Sequence, residues 1–429
     1  MKKNITIGSL FDGSGGFPLA AQTLGIEPVW SSEIEPLPCR VTEVRFPNMT
    51  NYGDVNKIDG ANLAPVDIIT LGSPCQDLSI AGERRGLSGK RSSLFFEAVR
   101  IIKEMRDKTN GNYPRFVVWE NVTGALTSNK GEDFKTVLET LCSVCEPSIS
   151  VPRPERWADA GEVVGANYSI VWRVLNAQFW GVPQRRRRIY AVADFGSEGA
   201  REVLFNKNSV CINPYSCKNQ KQDASCSAGA CTDKTSEDLM CYDVRLSSLN
   251  TKNVRTKVYE TTTSRTLDTG PNAPTSNQGG LCIMQKCDCF ATSKNSFHTA
   301  VKTNVADTLV ATDYKDPPRV SVKADEYRLR RIMPCECARL QGFPATWCDG
   351  LEDTNPSNAE IEKWQDIFQE YARCIGKSTR RKTKAEVKRW LENPRNDTAE
   401  YKMWGNGVAL PCVLFVLDGI VKSFEKVSK

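Results

Sequence analysis

Between residues 4 and 195 short apolar runs alternate with helical stretches, and nothing else in the chain limits its fold so tightly. "NITIGSLF" reads as a strand that ends in the glycine turn "DGSGG", and "FPLAAQTLGI" continues as a helix closed by Gly25. "EPVWSSEIE", "VDIITLG", "RFVVWENV", "YSIVWRVLNA" and "RRIYAVADF" read as further strands. Ahead of "RFVVWENV", the stretch "SLFFEAVRIIKEMRD" puts Leu94, Phe95, Ala98, Ile101 and Ile102 on one helical face. Strands that alternate with helices call for an α/β fold with a doubly wound parallel sheet. Ligand sites in such sheets lie beyond the carboxyl ends of the strands.

Composition changes after this region. Residues 206–325 are rich in Ser, Thr, Asn, Asp, Lys and Cys, with only short apolar pieces such as "LCIM". They suggest a second, smaller, loop-rich domain. Further on, "AEIEKWQDIFQEYARCI" has the spacing of an amphipathic helix, and "KSTRRKTKAEVKR" holds seven basic residues and one acid. "WGNGVALPCVLFVLDGIVKSF" reads as a loop and an apolar helix that needs burial. The expected division is 1–195, completed by 401–429, and a second unit over 196–400.

A net charge of +6 permits a polyanionic partner without establishing one. The basic start "MKKNITIGSLF" lacks the long apolar region of a secretory signal, and no run approaches the ~20 apolar residues needed to span a bilayer. The 17 cysteines are therefore expected as thiols in a reducing cytoplasm. Cys142-x-x-Cys145 has no second CxxC at ribbon spacing, so no metal is expected.

Four constellations carry chemistry. First, "FDGSGG" lets backbone approach a ligand closely; Glu33, at the end of the next strand, can hold two ribose hydroxyls, and Asp54 follows in "YGDV". Second, "GSPCQDLS" places Cys75 just past an apolar run. Its usual activator would be histidine, yet His298 is the single one in the chain, which disfavours a Cys–His hydrolase. A buried structural thiol is the plainer alternative. Third, Glu120 ends an apolar run; pressed against apolar neighbours its carboxyl can keep a proton and act as an acid toward a ring nitrogen. Otherwise it is a strand-end acid beside a turn. Fourth, "PQRRRRIY" opens a strand with four arginines, a costly arrangement unless a ligand or solvent receives them. Strand alternation puts Arg186 and Arg188 on one side and Arg185 and Arg187 on the other.

With these pieces in order, the chain closely resembles the C5-cytosine DNA methyltransferases, particularly bacterial and phage-type members. The resemblance rests on "FDGSGG", "GSPCQDLS", "ENV", "QRRRR", "RLRRIMPCECARLQGFP" and the late "GNGV". It covers nearly all of 1–195, then 327–347 and 401–424. It implies a Rossmann-like methyltransferase sheet with a target-recognition domain, S-adenosyl-L-methionine as methyl donor, and a cytosine flipped out of double-stranded DNA as acceptor. In this family a cysteine thiolate adds to C6 of the base, and a carboxyl at N3 eases that addition.

Carried over residue by residue, the resemblance makes Cys75 the nucleophile and Glu120 the N3 partner. Arg188 would contact the base O2, and Arg186 would position Glu120 or a phosphate. For the donor, Phe11 would pack near the adenine and Gly13, Gly15 and Gly16 would form the turn. Glu33 would take the ribose, Ile34 the adenine face and Asp54 its amino edge, with Pro74, Asn406 and Val408 completing the pocket. The loop after Cys75 has the polar, glycine-punctuated character of a lid over flipped-out DNA. Within it Gln76, Ser79, Arg84, Arg85, Lys90 and Arg91 are expected DNA contacts, joined by Gln184, Arg380, Arg381 and Lys382. One departure is Gly407, where the family usually has Ser.

The implied setting is a cytoplasmic monomer acting in restriction-modification or DNA protection, in a bacterial cell or a phage-infected host. A cognate restriction endonuclease would act separately, not in a stable complex. An RNA-directed relative, an inactive nucleic-acid-binding protein and a nicotinamide oxidoreductase are the competing readings. Intact Cys75, Glu120, Arg186 and Arg188 argue against the second, and the third leaves Pro-Cys-Gln and the arginines idle.

Overall fold

The computed structural model describes residues 4–73, 94–205, 239–246, 256–261, 264–265, 280–286, 327–331, 333–377 and 380–427. The N-terminal part runs β1 (Thr6–Leu10), α1 (Gly16–Thr23), β2 (Glu27–Ser32), α2 (Pro36–Arg45), β3 (Thr50–Asn51), β4 (Ile68–Leu71), α3 (Leu94–Lys108), β5 (Phe116–Val122), α4 (Glu132–Cys142), β6 (Ala160–Val164), β7 (Ser169–Asn176), β8 (Gln184–Arg185), β9 (Arg187–Asp194) and α5 (Ala200–Phe205). Eight of these strands form one sheet in the order β3-β2-β1-β4-β5-β9-β7-β6.

The strands expected from the apolar runs are present, but the sheet is mixed. Pairs from β3 through β5 are parallel; β5–β9, β9–β7 and β7–β6 are antiparallel. The difference follows from connection length. Parallel neighbours need a crossover, and the run from β6 through β9 holds no crossover helix. The α/β fold stands, with an antiparallel extension on a parallel half.

Both faces of the sheet are covered, as a parallel sheet requires. On one side Phe95, Ile101, Ile102, Phe134 and Val137 of α3 and α4 pack on Ile69 and Trp119. The other side is closed from the far end of the chain. α6 (Pro334–Leu340) and α10 (Leu410–Val427) bring Leu340, Val413 and Leu417 into one core with Ala20 of α1 and Val203 of α5. The apolar C-terminal helix thus finds the burial its composition demands, against α1 and α5. Residues 337–351 lie in that same core, so the chain re-enters it well before the expected boundary at 401. The reason is visible in "CARLQGF": Cys337, Ala338, Leu340 and Phe343 are all at most 2% exposed.

Two further helices, α7 (Asn358–Cys374) and α8 (Lys384–Glu392), form a pair fixed by Trp364, Val387 and Leu391 against Cys39 of α2. α9 (Asp397–Asn406) then leads into α10. From the middle of the chain, β10 (Leu239–Leu246), β11 (Thr256–Glu260), β13 (Gly280–Lys286) and β14 (Tyr327–Arg331) make a four-stranded antiparallel sheet. β12 (Ser264–Arg265) pairs instead with β8. Among the described residues no single helix is long and apolar enough to cross a membrane.

Candidate active site

A cleft of about 340 Å³ opens beyond the carboxyl ends of β1, β2, β4 and β5, within the range of small-molecule sites. One wall is the glycine turn. Phe11 and Gly13 both adopt φ of +59°, a left-handed conformation that strains the phenylalanine and suits the glycine. The turn is held by Ser32, whose carbonyl accepts from the Phe11 N–H at 2.9 Å. Glu33 extends this anchorage: Oε2 accepts from the Gly13 N–H, and Oε1 from the N–H groups of Ile34 and Glu35, each at 2.8 Å. Burial pushes the Glu33 carboxyl above its ordinary value against the pull of those donors. Asp54 also lines the cleft and caps a short turn through the Asn56 N–H at 3.0 Å.

Phe11, Gly13, Glu33, Ile34, Asp54 and Asn406 all reach the cleft. Gly15, Gly16 and Val408 do not line it. A Cβ on Gly16 would stand 2.4 Å from Val408 Cγ2, so this glycine lets the C-terminal segment dock on α1. Gly15 takes φ of +78° as the N-cap of α1. All three are closely packed around the turn.

Asp12 went unnoticed in the sequence because it looks like one more turn residue. It is 5% exposed, its Oδ1 accepts from Ser9 Oγ at 2.7 Å, and its Oδ2 has no partner among the described residues. Burial pushes it up to about 8; the Ser9 bond opposes that shift and Glu33 adds to it. At neutral pH this acid is mostly protonated.

The opposite wall carries Glu120. It lies within β5 rather than after it, 7% exposed, with Arg188 Nε 3.5 Å from Oε1. Burial raises its affinity for a proton, while Arg188 and then Arg186 lower it. Asn121 Nδ2 donates to the Ser73 carbonyl at 3.0 Å, and Trp119 Nε1 to Ser73 Oγ at 3.3 Å. These bonds fix the last described residue before Pro74 and Cys75. Pro74, Cys75, Gln76, Ser79, Arg84, Arg85, Lys90 and Arg91 lie outside the described residues.

The four arginines divide as strand alternation requires. Arg185 and Arg187 are exposed, and Arg187 pairs with Asp159 at 2.6 Å. Arg186 and Arg188 line the cleft. Arg186, which acts on Glu120 through its charge, has a second engagement. Its guanidinium donates to the carbonyls of Gly405, at 3.3 Å, and Gly407, and so ties the C-terminal loop to the sheet. Burial, helped by Arg188, brings its guanidinium down to about 10. Gln184, an expected DNA contact, is fully buried in β8. Arg380, Arg381 and Lys382 are at the surface but engaged within the helix pair. Arg380 pairs with Glu386 at 2.5 Å, Arg381 with Asp366 at 2.8 Å, and Lys382 sits over the Phe368 ring at 4.6 Å.

The third wall comes from α9, through Met403, Gly405 and Asn406. Lys402 Nζ donates to Glu35 Oε1 at 2.8 Å and to Tyr371 OH at 3.0 Å, joining α9 and α7 to the rim. Asp54, Glu370 and Cys374 cluster nearby, but Lys57 pairs with Glu370 at 2.5 Å and already supplies positive charge there.

The arrangement suits a cationic, hydroxyl-bearing ligand on the Glu33 side and a polar heterocycle on the Glu120 side. A protein of Escherichia phage P1 named DNA N-6-adenine-methyltransferase is 27% identical, covering 98% of this chain and 62% of its own length. The type II methyltransferase M1.ScrFI of Lactococcus lactis subsp. cremoris is 26% identical over 98% of this chain and 79% of its own. M.NgoBV of Neisseria gonorrhoeae is 32% identical over 41% of this chain, which spans only 37% of that enzyme. Among solved structures, the S. pombe Dnmt2 methyltransferase aligns over 98% of this chain and 99% of its own with a TM-score of 0.51 at 14% identity, a likeness of fold. A sequence model of C-5 cytosine-specific DNA methylases matches residues 5–144 and 158–361, and the chain belongs to that family.

Proposed function

We propose that this protein is a DNA (cytosine-5-)-methyltransferase that modifies a flipped-out cytosine within a specific duplex sequence. The observation that carries the reading is Glu120: a carboxyl pushed toward its protonated form by burial, paired with Arg188, and facing the cleft. The bond from Asn121 to Ser73 holds the chain two residues before Cys75 on the same wall.

Cytosine C5 is a weak nucleophile. The Cys75 thiolate forms a bond to C6 while Glu120 hydrogen-bonds or protonates N3, so the electron pair of the C5–C6 bond becomes available at C5. Arg188 steadies the base O2 and the Glu120 carboxyl together. S-adenosyl-L-methionine, when bound, supplies a methyl group on a sulfonium sulfur. Once C5 is methylated, loss of its proton to a base and return of the electron pair expel Cys75 as thiolate.

The Glu33 wall fits that donor, since its acids suit a sulfonium and ribose hydroxyls, and the cleft volume matches a ligand of nucleoside size. The setting is that of a monomer in a bacterial or phage-infected cytoplasm, protecting DNA alone or opposite a separate restriction endonuclease.

Expressing the chain in a methylation-free strain and bisulfite-sequencing the DNA tests this directly. Protected cytosines within one short sequence are expected. Methylated adenine instead, the chemistry in the name of the phage P1 relative, would overturn the reading. Cys75→Ala should abolish transfer, and DNA with 5-fluorocytosine at the target should trap an adduct on Cys75.

A further inference from the structure

Beneath Glu120 lies a group that the reaction outlined above leaves unused. Tyr190 stands directly opposite Glu120 in the β5–β9 pairing, so the two side chains share one face of the sheet. Tyr190 is 1% exposed, and its hydroxyl has no hydrogen-bond partner among the described residues. Two other atoms that act on this group also lack a hydrogen bond: Arg186 Nε, and Glu120 Oε1, which has only the ion pair with Arg188 Nε at 3.5 Å. Three buried polar atoms short of hydrogen bonds are uncommon in a native interior, and a buried water with about three partners is the usual remedy.

We propose that Tyr190 is a positioning residue for the methyl-transfer site: its hydroxyl and Arg186 Nε hold one internal water against Glu120 Oε1. This leaves Oε2 to face the substrate. Oε2 is on the side of Gly72, where a Cβ would lie 3.9 Å away, and both residues line the cleft. The inference rests on the role given to Glu120 above.

The groups around this carboxyl are few. β9 and the residue before it supply Arg186, Arg188 and Tyr190. α10 supplies Cys412, whose charge when ionised acts on Tyr190. From β7, Arg173 is opposite Tyr190 in register but donates to the Leu204 carbonyl at 2.8 Å. Burial drives the Tyr190 hydroxyl well above its ordinary value, so it stays a donor across the working range. A donor directed at Oε1 favours the carboxylate form. Removing it therefore raises the pH at which Glu120 loses its proton.

The test is Tyr190→Phe in the full-length protein, which keeps the ring and its packing. Single-turnover methyl transfer should fall about five- to tenfold at neutral pH, the scale of one lost hydrogen bond. The alkaline limb of the rate profile should move upward, while donor affinity stays within about twofold. An unmoved limb with only a lower Tm would make Tyr190 a packing residue and overturn the proposal. Glu120→Gln measured alongside separates the two readings. If it leaves the rate unchanged, the Glu120 assignment fails; if it abolishes the rate while Tyr190→Phe leaves the limb in place, only the Tyr190 role fails.

Discussion

The two halves of the large sheet meet at β5 and carry opposite charge into one cleft. The parallel half ends in acids: Glu33 after β2 and Asp54 beyond β3. The antiparallel half contributes Arg188 from β9 and Arg186 from the residue before it. Glu120, on the strand where direction reverses, is buried among both. Strand direction explains the split. Parallel strands place all their carboxyl ends, with their turns and helix N-termini, on one edge. An antiparallel strand arrives at that edge with its beginning, so long side chains such as arginine reach in from an entering strand. The cleft can thus hold a cationic donor and a base that gathers electron density, each beside the charge that complements it.

The largest expected effect breaks the basic half. Arg188→Ala removes the pairing charge from Glu120 and the contact proposed for the base, so kcat should fall about 10²–10³-fold with donor affinity unchanged. Equal losses in both would mean that the halves are not separable. On the acidic half, Glu33→Gln leaves one oxygen to serve three N–H donors. Donor affinity by calorimetry should drop about tenfold, with a smaller change in single-turnover rate. A variant that binds the donor normally would remove Glu33 from the donor wall.

The same contrast explains what the sequence disclosed. Parallel-half elements follow a simple grammar of strand, glycine turn and helix, so Glu33, Asp54 and the turn were legible from "FDGSGG" onward. The antiparallel extension was not, because "YSIVWRVLNA" and "RRIYAVADF" carry no mark of strand direction. Direction depends on connection length and on what flanks the sheet. Arg188 and Arg186 were legible as a pair sharing one face, yet the carbonyls of Gly405 and Gly407 that claim Arg186 lie more than two hundred residues away. Asp12 was missed for the opposite reason: its burial comes from packing around the turn, which no local pattern shows. The early return of 337–351 to the core was hidden because its apolar residues sit in a short segment next to polar sequence.

Asp12 offers a subtler way to probe the acidic half. Its folded-state pKa of about 8 stands above that of an exposed carboxyl near 3.9, so the folded protein binds the extra proton between those values. The stability this contributes is complete below about pH 4 and is lost as pH rises toward and through 8. Asp12→Asn keeps an acceptor for Ser9 and cannot ionise. Its Tm should therefore fall less than the parent's between pH 5 and pH 8, by an amount worth more than about 1 kcal/mol. Parallel Tm curves would show that Asp12 ionises normally in the folded state.

The smallest effect is expected farthest from the cleft. A cluster of basic residues invites the reading of a phosphate-binding strip, and each phosphate neutralised would contribute about −0.9 to the slope of log K against log salt. Arg380 and Arg381 already pair with Glu386 and Asp366, and Lys382 lies over the Phe368 ring, so all three side chains are engaged within the α7–α8 pair. Replacing all three with alanine should weaken DNA binding less than about threefold and change the salt slope by less than about one. A slope that drops by two or more would mean that these ion pairs open on DNA. The α7–α8 pair would then belong to the DNA-binding surface, and the basic side of the protein would extend well beyond the antiparallel half of the sheet.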